Sequence, residues 1–175
     1  MAITSVVVRI GRHWLMSPWR MSRAFSRQTL EAVERAIKDC EAVHAGEICF
    51  VVEGALHGAA LYGGHSPRDR AIELFSHHRL WDTEQRGGVL IYVLLADRSV
   101  EIVADRGVHK KVGTQEWQRI CRKMEEAFVE RHYEAGALTG IQEVSRLLAE
   151  HFPTSITGTL QLQDDSAKYH ANPAC

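Results

Sequence analysis

The chain has 175 residues, 45% of them hydrophobic and 25% charged, which suits one compact domain with a sizeable core and leaves too little chain for two full domains. Its 21 Lys and Arg balance 22 Asp and Glu, so the net charge offers no global attraction to nucleic acid, and no nucleic-acid partner is expected. The four cysteines, Cys40, Cys49, Cys121 and Cys175, are widely separated, with no C-x-x-C pair and no Cys/His quartet, so reduced, buried thiols are expected rather than a zinc site.

Residues 1–24 form a basic arm. Arg9, Arg12, Arg20, Arg23 and Arg27 fall within the first thirty residues, where there is no carboxylate, and they are interleaved with Trp14, Trp19 and Phe25. Such an arm suits an anionic membrane surface or a protein partner, and equally suits the domain's own acidic face. Pro18 breaks any long amphipathic helix here. Arg9 and Arg12 interrupt the apolar start, so no secretory leader is read and the cytoplasm is the expected location.

Residues 25–153 carry the domain. "SRQTLEAVERAIKDCEAVH" places Leu30, Val33, Ile37, Cys40 and His44 at helical spacing behind a Ser26 cap. "EICFVVE" is apolar on both alternating faces, as in an interior strand. A flexible glycine-rich connection leads to Ser66-Pro67-Arg68-Asp69, a helix start with a cap, a proline and a first-turn acid. The stripe Ala71, Ile72, Leu74, Phe75 and His78 is expected to be buried. Gly87-Gly88 reads as a turn needing positive φ, followed by strands Val89–Leu95 and Val100–Ala104 joined at Asp97-Arg98. Trp81 and Trp117 read as lids of the core. Thr114 is the expected cap of one further helix, and Thr139-Gly140-Ile141-Gln142 the capping box of the last, which Pro153 ends. Residues 154–175 lack helical period and read as a polar, mobile tail.

The order predicts an α/β three-layer sandwich: a mixed sheet, with a parallel pair and an antiparallel third strand, between helical layers. This topology gathers Asp82, Glu84, Asp105, His109, His44 and Glu47 at one rim. Glu53, His57, Ser66 and Asp97 gather at the other. The first rim is the candidate site. Asp82, Glu84 and Asp105 offer oxygen ligands for calcium or magnesium. Asp82, Asp105 and His109 are the candidate catalytic groups if a metal there polarises a phosphate ester. The second rim competes for a ligand because it lies at the carboxyl ends of the parallel strands.

The stretches "FSRQTLEAVERAI", "HAGEICFVVE", "AIELFSHHRLWDTEQRGGVLIYVLLADRSVEIVADRGV" and "MEEAFVERHYEAGALTGIQEVSRLL" together resemble the TPM domain family over roughly residues 25 to 150. The resemblance implies a helix-covered sheet and functions ranging from acid phosphatase activity and divalent-ion binding to photosystem repair and receptor modulation. Asp82 corresponds to the family's loop acid, Asp97-Arg98 to its hairpin Asp-Arg, and Gly107 to the glycine after the second strand. Arg86-Gly87-Gly88 stands where Asn-Asn-Gly is usual. His109 stands where an acid is common, and Arg131-His132 where Gly-Asp is common. These departures favour a TPM-domain protein that binds a cation or a partner over an efficient metal phosphatase.

Overall fold

The computed structural model describes residues 2–81 and 87–153, with side chains from residue 7 onward. The chain begins with two helices, Ala2–Trp14 (α1) and Pro18–Ala24 (α2), separated by Leu15, Met16 and Ser17. The arm is therefore structured, and Pro18 starts its second helix as well as ending the first. The 154–175 tail lies outside the described residues.

Arg27–Glu41 (α3) starts at Ser26, whose hydroxyl accepts the Thr29 amide, and buries Val33 and Ile37 one turn apart. Ile48–Glu53 (β1) leads to a short helix, Gly58–Tyr62 (α4), where a flexible connection is expected from the glycines. Pro67–His77 (α5) carries the full capping box between Ser66 and Asp69. Val89–Leu94 (β2) and Ser99–Ala104 (β3) follow, then Arg106–Val112 (α6), Thr114–Val129 (α7) and Tyr133–His151 (α8).

The sheet has the order β1-β2-β3, with β1 parallel and β3 antiparallel to β2. The α/β sandwich follows from β2, every residue of which is buried. Val89, Ile91 and Val93 point into a core with α3, α7 and α8, while Leu90, Tyr92 and Leu94 point into a second core with α4 and α5. β1 is an edge strand, not an interior one. Its apolar alternation reflects helices over both faces, and its free edge leaves most of it half-buried.

Other departures have local causes. Leu30 and Ile72 lie at the margins of their buried stripes and stay largely exposed, as does Trp81, whereas Trp117 is buried. Gly87 and Gly88 do not adopt positive φ. They permit close approach: a Cβ on Gly88 would strike the Leu80 carbonyl, and one on Gly87 would lie 2.8 Å from Gly46 Cα. Thr114 is the first residue of α7 and makes no cap bond, the cap position being Gly113. Thr139-Gly140 lies inside α8, not at its start. The missing Cβ of Gly140 makes room there for Met124 of α7.

α7 closes with a Schellman turn, in which His132 N donates to Ala127 O and Arg131 N to Phe128 O. Arg131 takes φ 64° there, the left-handed region that favours glycine. The glycine implied at this position by the family resemblance is thus explained by backbone conformation alone. Arg131→Gly should raise stability by about 1 kcal/mol in a denaturant melt.

Candidate functional site

The strand ends create two rims. At the first, the backbone ties three segments together: Glu47 N donates to Gly87 O, Val89 N to Glu47 O, and Asp105 N to Gly88 O, at 3.2, 2.9 and 2.8 Å. Glu47, the re-entry of the 82–86 loop at Gly87, and Asp105 are therefore neighbours, as the topology predicts. Asp82 and Glu84 themselves lie outside the described residues.

Asp105 caps α6 through its own chain, its Oδ1 accepting Arg106 N at 2.7 Å, so its relation to Arg106 is a backbone cap and not an ion pair. His109 lies one turn along α6, where its amide donates to Asp105 O and its Nε2 stands 3.4 Å from Thr114 Oγ1. Burial, and then the charge of Glu41, push the Glu47 carboxyl above its usual range. His44 is also here, buried, its backbone bridged to Pro153 and its ring nitrogens without hydrogen-bond partners among the described residues. Burial holds its imidazole below the usual value, outweighing the backbone groups of Gly46 and of His44 itself that favour the proton. Among the described residues, no three His, Cys, Asp or Glu gather closely enough to hold a metal ion. A complete ligand set at this rim needs the 82–86 loop.

The second rim, at the carboxyl ends of β1 and β2, is closed by the protein's own counter-charges. Asp97 receives Arg9 at 2.9 Å and His13 Nε2 at 3.0 Å. Leu56 N donates to His13 Nδ1 at 2.9 Å, so the buried imidazole carries its proton on Nε2 and donates it to Asp97. Burial raises the Asp97 carboxyl, but the bonds from Arg9 and His13 outweigh it and the carboxyl lies below its ordinary range. Beside it Glu53 takes a two-pronged bond from Arg70 and the Tyr92 hydroxyl at 2.7 Å. Burial and the adjacent Glu53 raise the Tyr92 phenol, and the Glu53 bond raises the Arg70 guanidinium. Ser66 is engaged in its capping box, and His57 is exposed at the start of α4.

Arg9 and His13 were legible as part of a basic arm, but nothing in their spacing announces Asp97 as their target. Tyr92 and Arg70 read as core and helix-surface residues, and only the register that sets Glu53 beside Leu94 brings them together. Cys49 and Cys121 are poor nucleophiles, because burial pushes Cys49 up to about 11 and Cys121 up to about 12.

The family model of the TPM domain matches residues 21–147. Among solved structures, the BA42 protein of the psychrophilic bacterium Bizionia argentinensis is similar at 26% identity and a TM-score of 0.63, covering 73% of this chain and 83% of that one. The N-terminal domain of a P. gingivalis protein shares the fold at 18% identity and TM-score 0.60, over 73% and 80% of the two chains. The N-terminal domain of the cg2496 protein of Corynebacterium glutamicum shares it at 13% identity and TM-score 0.55, over 81% and 84%. No curated protein matches.

Two outcomes follow from the rims. Asp97→Ala strands the buried His13 Nε2–H and leaves Arg9 with the His65 carbonyl as its remaining partner, so it should cost about 2 kcal/mol and speed tryptic cleavage after Arg9 and Arg12. For His44, the folded state resists a proton that the unfolded state accepts below about pH 6.5. Its contribution to stability is therefore whole above that pH and is lost as pH falls below it, by up to about 1.4 kcal/mol per pH unit. His44→Leu should flatten this limb in melts recorded from pH 7.5 to 5.

Proposed function

The chain belongs to the TPM domain family, and we propose that its acidic rim binds a divalent cation, calcium or magnesium, through Asp105 together with Asp82 and Glu84 of the adjoining loop. The observation that carries this reading is that the described carboxylates at this edge form no ion pair. Glu41, Glu47 and Asp105 stand at one edge, and among the described residues none of them pairs with a Lys, Arg or His. The opposite rim is neutralised by Arg9, His13 and Arg70. Hard oxygen donors on separate loops suit these ions, and a bound cation would offset the Glu41 charge that adds to burial in raising the Glu47 carboxyl.

A second reading is phosphoric monoester hydrolysis at the same rim, the activity named in the family model's designation as a phosphatase. The observation favouring it is His109, a proton-carrying group one turn from Asp105 on α6. A bound cation would supply polarisation of a phosphoryl oxygen.

Calcium and magnesium titrations followed by amide NMR should shift Glu47, Gly87, Gly88 and Asp105, and Asp82→Asn with Glu84→Gln should abolish the shifts. A flat titration at millimolar metal overturns the cation reading. In the same preparation, hydrolysis of a generic phosphate ester that disappears in Asp82→Asn supports the second reading; hydrolysis unchanged by that substitution marks a contaminant.

A further inference from the structure

We propose that the outward face of α1 docks the protein on an anionic lipid surface. The helix is held rigidly from its inner side, where Arg9 and His13 bond Asp97, His13 accepts the Leu56 amide, and Ile10 packs against the core under α4 and α5. What remains outside is apolar. Val8 and Leu15, two turns apart on one face, are 49% and 68% exposed, and Val7 and Trp14 beside them are 62% and 75% exposed. Four large apolar side chains in nine residues on a helix this firmly anchored form a patch that the described residues do not cover.

The charge around the patch selects the occupant. Arg12 and Arg20 are exposed and pair with no carboxylate among the described residues. Arg23 lies over the exposed Trp19 ring, 5.4 Å from its centroid. The first thirty residues contain no Asp or Glu. A carboxylate-free basic arm that carries an exposed apolar helix face complements an anionic headgroup layer over an acyl boundary. Trp14 has the amphipathic form that such a boundary favours, with its indole Nε1 donating to Tyr62 Oη at 3.3 Å and its ring exposed. A second copy is the poorer occupant, because apposing two such arms would bring arginine against arginine with no carboxylate between them. The helix lies on the surface and does not enter it lengthwise, since among the described residues no helix is long and apolar enough to cross a membrane.

The test is co-sedimentation of the full chain with vesicles of phosphatidylcholine and phosphatidylglycerol, against phosphatidylcholine alone, in a buffer containing EDTA. EDTA removes cation bridging, so failure of this proposal is distinguishable from failure of the cation reading. Binding is expected only to the anionic vesicles, with a blue shift of tryptophan emission. Arg12→Glu with Arg20→Glu, and separately Val8→Ser with Leu15→Ser, should each weaken it about tenfold or more while leaving the thermal melt unchanged. No binding, equal binding to neutral vesicles, or undiminished binding by either variant overturns the proposal. So does a concentration-dependent dimer that anionic vesicles fail to dissociate.

Discussion

The structure depends on the complete burial of β2. A sheet of three strands has one interior strand, and here its two faces fill two separate cores: Val89, Ile91 and Val93 on one side, Leu90, Tyr92 and Leu94 on the other. Each such side chain contributes about 1.5–3 kcal/mol relative to exposure, so neither helical layer can be removed without exposing half of the strand. Polar groups on β2 are correspondingly confined. Tyr92 is the exception, and its hydroxyl reaches Glu53 at the end of the neighbouring strand. Chemistry is thereby displaced to the rims, where strands stop and loops begin.

The two rims differ in electrostatics more than in shape. At the carboxyl ends of β1 and β2, where open α/β sheets commonly take ligands, the carboxylates meet internal cations and donors, and the helix that supplies two of them is α1. At the opposite rim, the sheet brings Glu47 and Asp105 to the same two glycines, while Arg119 and Lys123 of α7 pair with Glu116 and Glu143. Lys111 of α6 donates to His151 O and lies 4.1 Å from the centroid of the Phe152 ring.

Where local chemistry decides an element, the sequence was sufficient. Ser26 and the Ser66–Asp69 box mark their helices, the hairpin turn falls at Asp97-Arg98, and one parallel crossover assigns Glu47 and Asp105 to one edge and Glu53 and Asp97 to the other. What was not legible was set by contacts distant in the chain. Thr139-Gly140-Ile141-Gln142 resembles a capping box until Met124 is placed against Gly140, Gly87-Gly88 resembles a positive-φ turn until Leu80 and Gly46 are in position, and β1 resembles an interior strand because helices cover both of its faces. The candidate site divides in the same way. Its edge follows from topology, whereas the closure of the competing rim depends on Arg9 and His13 crossing some ninety residues of sequence to reach Asp97.

That crossing also defines what α1 is. The match to the family begins at residue 21, so α1 lies outside it, yet its inner face is joined to the domain by directional bonds rather than by apolar packing alone. His13 is fixed in one tautomer by the Leu56 amide, and Asp97 accepts from both Arg9 and His13, so rotating the helix about its axis by a single residue would strand a buried acceptor and two donors. The rotation of α1 is therefore set by polar groups, and the exposure of Val8 and Leu15 is a fixed consequence of that rotation. A helix held only by a greasy stripe could turn its apolar outer face inward; this one is prevented from doing so by a carboxylate at the far end of a hairpin.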